Sequence, residues 1–178
     1  MKYGHRNTHP KTSNYAGVVS RERIRILLTH SDLHLTPAKA SDICSVYIQD
    51  PTYEKYYILC GPEFGLENVG KQSKIVRDLY GGKSAGSDFW HHITSCIAHL
   101  FFESTKADPY IWMRISVFKY GEAAYNKYVL LYSDDCLVIS DRSEYVIQNE
   151  IGKYFCLKEE YIRYPGQYLG GKLKDVVL

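Results

Sequence analysis

The chain has 178 residues, a formal net charge of +2 and 45% hydrophobic residues, which is enough apolar material for one ordinary folded domain. Its composition, with 24% charged residues, excludes an intrinsically disordered chain. No apolar run reaches the roughly 18 residues that a membrane helix needs, and the N-terminus lacks the apolar stretch of a signal peptide. We therefore expect an intracellular protein without a membrane partner.

The sequence predicts a loose arm over residues 1–17 and a single domain over 18–178. In chain order, the predicted elements are a helix over 18–34 with Ser20 as its N-cap, strands over 41–48, 56–60 and 74–80, a helix over 87–102, a strand over 111–118, a hairpin over 128–139, a helix over 143–154 and a final strand or hairpin over 168–177. Because strands and helices alternate irregularly, the fold class is predicted to be α+β with a largely antiparallel sheet.

The predicted hairpin carries two acidic residues at its tip. Asp134 and Asp135 stand between two apolar runs, 128–132 and 136–139, which is the pattern of a buried strand pair. Aspartate is common in ordinary turns, so a simple surface turn is one interpretation. Two adjacent carboxylates also repel each other unless a cation neutralises them, so a metal site is the other interpretation.

A third carboxylate is available from elsewhere in the chain. Asp42 begins the β-rich run 42–48, and pairing of this strand beside the hairpin would bring three carboxylates together. Oxygen ligands of this kind suit Mg²⁺, which keeps room for substrate phosphates. The three aspartates are therefore the candidate metal ligands and catalytic residues.

Five sequence blocks stand in order over about residues 18–173. They are the run 42–48, Leu79–Gly81 followed by Lys83 and Trp90, Lys106–Pro109, the tip sequence Tyr-Ser-Asp-Asp over 132–135, and Tyr168–Gly171. Together they resemble the reverse transcriptases of copia-type retrotransposons. The tip matches that family's Tyr-x-Asp-Asp signature, and the run 42–48 resembles the block that carries its first catalytic aspartate.

This resemblance implies a polymerase palm, an antiparallel sheet with packed helices, with partial fingers and no thumb. It implies an RNA-directed DNA polymerase in which Asp42, Asp134 and Asp135 hold two Mg²⁺ ions, with Mn²⁺ as a substitute, for in-line nucleotidyl transfer to a primer 3′-hydroxyl. The implied partners are an RNA or DNA template with its primer and deoxynucleoside triphosphates. The implied location is a cytoplasmic particle or the nucleus, and the oligomeric state stays open.

The resemblance also places residues around the nucleotide and primer. These are Tyr47, Tyr132, Lys83, Ser84 and Gly170. Tyr47 falls at the aromatic steric gate that packs under the sugar, although a core tyrosine on a strand is the alternative interpretation. Tyr132 would lie beside the primer terminus, or fill the base of the hairpin.

The sequence departs from the family in several places. Ser84 replaces a glutamine that lies over the nucleotide, and Ser133 stands where copia elements commonly have valine. The basic strand of the fingers and the thumb connection are expected beyond the two ends of this sequence. Three hypotheses follow: an active polymerase palm, a catalytically inactive relic of a retroelement, and a domesticated module that binds nucleic acid without turnover.

We also expect marginal stability or aggregation, because loss of the fingers strand and the thumb would expose sheet edges and apolar surface.

Overall fold

The computed structural model describes residues 16–117, 123–158, 162, 167–168 and 171–172. The chain divides into two compact units. One unit comprises residues 1–16 and 45–93, and the other comprises 17–44 and 94–178. None of the helices within the described ranges combines the length and the apolar character that a membrane crossing requires.

The described elements mix helices with antiparallel strands. In chain order they are α1 (Arg21–Leu33), β1 (Ala38–Asp42), α2 (Val46–Gln49), β2 (Pro51–Leu59), 3₁₀ turns at Pro62–Phe64 and Leu66–Asn68, β3 (Gln72–Arg77), α3 (Ala85–His99), β4 (Glu103–Ser104), β5 (Ile111–Val117), β6 (Ala124–Tyr132), β7 (Asp135–Ile139), α4 (Ser143–Tyr145), a π-helical segment (Val146–Glu150), a 3₁₀ segment (Ile151–Lys153), β8 (Gln167–Tyr168) and β9 (Gly171–Lys172). The predicted α+β class with antiparallel sheets is confirmed.

A five-stranded antiparallel sheet forms the larger unit, in the order β1-β7-β6-β5-β4. The hairpin strands β6 and β7 occupy its centre, and residues 129–131 and 136–139 are buried. They read as continuous apolar runs because a central strand covered on both faces has no solvent side. The predicted hairpin is confirmed, and its centre is the best-buried part of the unit.

Helix α1 packs its apolar side on this sheet. Ile24 and Leu27 are buried and belong to a cluster with Leu130, Leu137 and other sheet residues. The helix begins at Arg21, and the Ser20 side chain accepts a hydrogen bond from the Arg23 backbone N–H. The predicted N-cap is therefore confirmed, while the helix starts later than residue 18.

The strand predicted over 41–48 is wrong in its position. The observed strand β1 begins at Ala38 and ends at Asp42, and residues 46–49 form the short helix α2 instead. Its partner β7 begins at Asp135, directly after the hairpin tip, so the ladder has no partner residues beyond that point. Ser45 then adopts a left-handed conformation with φ 43°, which turns the chain away from the strand direction. Asp42 consequently lies at the end of a strand rather than at its start.

The other predicted elements occur with shifted boundaries. The strands predicted over 56–60 and 74–80 correspond to β2 and β3, and the helix predicted over 87–102 corresponds to α3. The helix predicted over 143–154 is a continuous helical stretch that passes through α, π and 3₁₀ geometry. Of the predicted C-terminal hairpin, β8 and β9 are observed, while residues 173–178 lie outside the described residues, as do residues 1–15 of the predicted arm.

The second unit contains α2, the hairpin of β2 and β3, and the first part of α3. Strand β2 alternates between exposed and covered positions along its whole length. One face of this two-stranded sheet is therefore open to solvent, as expected for an antiparallel pair that is covered on a single side. The covered residues of the unit include Val46, Cys60, Ala85 and Phe89.

Candidate functional site

The register of the central sheet brings two of the predicted carboxylates side by side. Asp42, the last residue of β1, pairs directly with Asp135, the first residue of β7. Asp135 in turn pairs with Tyr132 at the end of β6. Directly opposite residues of antiparallel strands project from the same face of the sheet, so the three side chains form one row across three adjacent strands.

The third carboxylate belongs to the turn that joins β6 to β7. Ser133 and Asp134 are the two residues between the paired positions 132 and 135. Ser133 has φ 53°, so the first turn residue is left-handed, as in the tight hairpin turns whose twist matches that of the strands. The turn is fixed to β1, because the Ile43 backbone N–H donates a 2.8 Å hydrogen bond to the Asp134 carbonyl. The two chain segments that carry the three aspartates are thus joined by backbone hydrogen bonds.

The three carboxylates influence one another electrostatically. Burial, together with the negative charges of Asp134 and Asp42, raises the pKa of Asp135 to about 6. Asp42 Oδ1 is buried without a hydrogen-bond partner among the described residues. Hard carboxylate oxygens and uncompensated negative charge are the features that a divalent cation such as Mg²⁺ would satisfy. The donor set therefore fits a magnesium ion in its chemistry.

The positions of the side chains do not yet form a coordination shell. Within the described ranges, no group of three or more His, Cys, Asp or Glu side chains is arranged as a set of metal ligands. The Lys158 ammonium lies at Asp42 instead and donates a 2.6 Å hydrogen bond to its Oδ2. A cation at this edge would compete with Lys158 for Asp42.

Lys158 is the residue at this site that the sequence did not predict. Its backbone N–H also donates to the Asp42 carbonyl at 2.9 Å, and Leu157 forms an isolated antiparallel bridge with Ile43. The hydrogen bond to Asp42 raises the pKa of Lys158, and the nearby charges of Asp42 and Asp134 act in the same direction. The lysine and Asp42 are 116 positions apart, so no local sequence pattern could have connected them.

Two tyrosines lie beside the carboxylates. Tyr132 is half-buried and packs against the cluster that contains Leu130 and Leu137. Tyr168 is buried, and its hydroxyl has no hydrogen-bond partner among the described residues. Burial raises the pKa of Tyr168 well above its usual value, with smaller contributions from Cys136, Asp135 and Tyr132. The Tyr168 side chain belongs to the same buried cluster as Leu130 and Leu137, and it contributes apolar surface beside the carboxylates.

The remaining predicted residues belong to the other unit. Tyr47 lies in α2, half-buried, and its ring contacts Tyr80 edge-on with a centroid distance of 4.9 Å and Phe89 at 6.4 Å. Ser84 is fully buried, and its carbonyl accepts hydrogen bonds from the Asp88 backbone N–H and the Ser87 hydroxyl, both at 2.8 Å. These bonds form at the start of α3 through the Ser84 backbone carbonyl, whereas the Ser84 Oγ is buried without a hydrogen-bond partner among the described residues.

Lys83 directly precedes Ser84 and is half-buried. Gly170 lies outside the described residues. The structure therefore brings together Asp42, Asp134, Asp135 and Tyr132, and describes Tyr47, Lys83 and Ser84 in a separate unit.

No protein-family model matches the chain, and no curated protein matches it either. The resemblance to copia-type reverse transcriptases therefore depends on the five sequence blocks alone. What the geometry adds is a local arrangement: three aspartates from two chain segments at one edge of an antiparallel sheet, with a lysine paired to the first of them.

Proposed function

We propose that the chain is the palm of a copia-type reverse transcriptase, with partial fingers, and that it transfers nucleotides to a primer 3′-hydroxyl. The observation that carries this proposal is the pairing of Asp42 with Asp135 beside the turn residue Asp134. The sequence blocks supply the aspartates, and the sheet register supports their use as one site. A polymerase palm needs this convergence because its chemistry depends on positioning and charge stabilisation.

In this proposal Asp42, Asp134 and Asp135 hold the divalent cations. When bound, Mg²⁺ would supply neutralisation of the triphosphate charge and activation of the primer hydroxyl. Asp135 is placed at the base of the turn by its pairing with Asp42 and Tyr132, and Tyr132 would contact the primer end. Lys158 balances the charge of Asp42 as long as no cation does so, since its ammonium already contacts Oδ2.

Primer extension on an RNA template tests the proposal. The wild-type chain is compared with an Asp134→Asn, Asp135→Asn double variant, with Mg²⁺ or Mn²⁺ present. The matched control is an Asp32→Asn, Glu67→Gln double variant, because both control residues are exposed and lie outside the site. Incorporation by wild type and control but not by the site variant supports the proposal. No incorporation by the wild-type chain contradicts it.

Cation binding gives a readout that does not depend on turnover. Titration with Mn²⁺ by isothermal calorimetry is expected to show binding to the wild-type chain and to the control, and a loss of at least tenfold in affinity for the site variant. Equal binding by all three proteins would argue against the aspartates as ligands.

A second candidate function is binding of single-stranded nucleic acid without turnover. It is favoured by the open face of the β2–β3 hairpin, where Tyr57 pairs with Lys74 and Tyr53 and Lys55 are also exposed. The one acidic residue of the two strands, Glu54, is buried. Exposed aromatic rings stack on bases and lysines contact phosphates, so a face of this kind suits a flexible strand.

Fluorescence anisotropy with a labelled RNA oligonucleotide tests this second candidate. A Tyr57→Ala, Lys74→Gln variant is expected to bind at least tenfold more weakly than wild type, with a smaller dependence on salt concentration. The control is Tyr145→Ala, an exposed tyrosine of the other unit. Binding that is unchanged in the Tyr57 variant would exclude this face.

A further inference from the structure

Two cysteines lie opposite each other where the chain returns to the edge of β1. The bridge between Ile43 and Leu157 is flanked by two backbone hydrogen bonds, from Cys44 N–H to the Cys156 carbonyl at 2.8 Å and from Lys158 N–H to the Asp42 carbonyl at 2.9 Å. This pattern places residues 156–158 antiparallel to residues 42–44 around one isolated bridge. Cys44 and Cys156 therefore occupy directly opposite positions.

The side chains of such a pair lie on the same face of the two strands. The Cys156 thiol is within hydrogen-bonding reach of the Cys44 thiol, so the two sulfur atoms are neighbours. Opposite residues that share backbone hydrogen bonds in an antiparallel pair have Cα atoms about 5.5 Å apart, and this separation lies in the range that a disulfide spans without backbone movement, about 5.5–6 Å.

The two thiols differ in accessibility. Cys156 is exposed and Cys44 is half-buried, so a reagent from solvent reaches Cys156 first. The other three cysteines of the chain, Cys60, Cys96 and Cys136, are buried. An oxidant that enters at Cys156 therefore has a single neighbouring thiol to recruit.

We propose that Cys44 and Cys156 form a redox-active dithiol that a small disulfide, such as oxidised glutathione, converts to an intramolecular disulfide. The Cys156 thiol loses its proton, attacks one sulfur of oxidised glutathione and expels the first glutathione thiolate. The Cys44 thiol then loses its proton and attacks the Cys156 sulfur, which releases the second glutathione. Two electrons pass from the protein thiols to glutathione disulfide, and the two protons go to solvent or to the glutathione thiolates.

The bond would fasten residues 156–158 to the end of β1. Lys158 is two residues beyond Cys156 and Asp42 is two residues before Cys44, on the same face. The disulfide therefore fixes the ion pair between Lys158 and Asp42. The dithiol chemistry stands independently of the polymerase proposal, because it requires only the two opposite cysteines.

The test is oxidation of the folded full chain with an excess of oxidised glutathione, followed by alkylation, proteolysis without reduction and mass spectrometry. The expected product is a monomer with one cross-linked pair of peptides, containing Cys44 and Cys156. Reduction by dithiothreitol should restore both thiols. This measurement on the wild-type chain does not depend on the folding of any variant.

Three variants sharpen the result. Cys44→Ser should accumulate a mixed disulfide between glutathione and Cys156, whereas Cys156→Ser should show little reaction because Cys44 is half-buried. Cys60 and its contact Ser73 both lie in the other unit, so Cys60→Ser should cross-link like wild type. A lasting mixed disulfide on Cys156 in the wild-type chain, disulfide-linked dimers, or no oxidation at all would each overturn the proposal.

Discussion

The surroundings of Asp135 raise the pKa of its carboxyl group. It is half-buried at the base of the turn, and it faces the charges of Asp134 and Asp42 while Lys158 opposes them only in part. An acid whose pKa is raised in the folded state binds protons more tightly there than in the unfolded chain. The folded state is therefore penalised when Asp135 ionises.

This property predicts a pH dependence of stability in the absence of divalent cations. The pKa of Asp135 is about 6 in the folded chain against an ordinary value of 3.8, so the free energy of unfolding should fall as the pH rises from 3.8 to about 6 and should level off above that. Between pH 5 and pH 7 we expect a loss of about 1 kcal/mol after allowance for partial exposure. Urea unfolding in EDTA measures it.

An Asp135→Asn variant supplies the comparison. It should be more stable than wild type at pH 7 and should have a flatter profile, while Asp32→Asn, at an exposed position of α1, should keep the wild-type slope. Parallel profiles for wild type and Asp135→Asn would show that another group causes the dependence.

The backbone conformation of Ser133 leads to a second prediction. Its φ of 53° is strained for a residue with a β-carbon and relaxed for glycine. Ser133→Gly should therefore raise the free energy of unfolding by about 1 kcal/mol. Ser133→Val should lower it, because a β-branched side chain tolerates this conformation poorly. Thermal melts of the two variants decide the matter, and a valine variant as stable as the glycine variant would contradict the turn geometry.

The sequence predicts the acidic residues of the site better than their surroundings. The tip aspartates and Asp42 could be selected because their neighbours form apolar β runs and family-like blocks. Lys158 and the opposition of Cys44 to Cys156 could not be predicted, because they depend on a return of the chain that no local periodicity encodes. The left-handed conformation of Ser133 could have been anticipated from the two-residue loop alone.

Arg114 connects three elements of the larger unit. Its guanidinium donates to the Leu100 carbonyl at 2.6 Å, forms a two-point contact with Glu150 at 2.7 and 2.9 Å, and lies over the Phe102 ring at 4.3 Å. Lys127 on the neighbouring strand is buried, and burial lowers its pKa, with Arg114 acting in the same direction and Glu150 against it. Glu150 is thus the ion-pair partner of Arg114, and together with Asp141 it supplies negative charge near Lys127.

Removal of the Glu150 charge is expected to destabilise the fold, and removal of Lys127 as well is expected to recover part of that stability. Glu150→Gln should lower the free energy of unfolding by about 2–3 kcal/mol, because Arg114 loses its ion-pair partner and Lys127 loses one of two nearby negative charges. Adding Lys127→Met should recover part of the loss, since one of the two cations is then gone. A double-mutant cycle by urea unfolding measures the coupling. Additive effects of the two substitutions would mean that Lys127 does not depend on Glu150.

Elements with a strong internal pattern could be predicted from the sequence, and elements created by pairing could not. The amphipathic helices and the apolar hairpin have hydrophobic patterns that can be recognised in the local sequence without knowledge of their tertiary partners. Strand β1 contains Ala38, Lys39, Ala40 and Ser41, which are weak strand formers. It becomes a strand because β7 offers a buried edge, and its end at Asp42 follows from where β7 begins.

At the scale of the whole molecule, both units expose apolar side chains, and those of the smaller unit include Tyr57, Leu59, Leu66 and Val76. Exposed fractions are 59% for Tyr57, 70% for Leu59, 83% for Leu66 and 64% for Val76. The chain carries a net charge of only +2, so electrostatic repulsion between copies is weak. These features favour self-association at high concentration.

A paired substitution tests that expectation. Leu59→Thr with Val76→Thr should reduce association, measured by light scattering against concentration, and should change the melting temperature little because both side chains are exposed. Ile115→Thr, which removes an exposed apolar residue of the other unit (76% exposed), serves as the control and should have a smaller effect. A wild-type chain that stays monodisperse at high concentration would contradict the prediction.

The pairing of β1 with β7 has a consequence for how the molecule reaches its native state. The hairpin of β6 and β7 joins neighbouring segments and can form early, whereas β1 must wait for a partner that is synthesised much later. The contact between Asp42 and Lys158 spans 116 positions, and closing so long a loop is slow and entropically unfavourable until other contacts reward it. The acidic tip is therefore expected to exist before the site does, and Asp42 joins it in the last stage of folding.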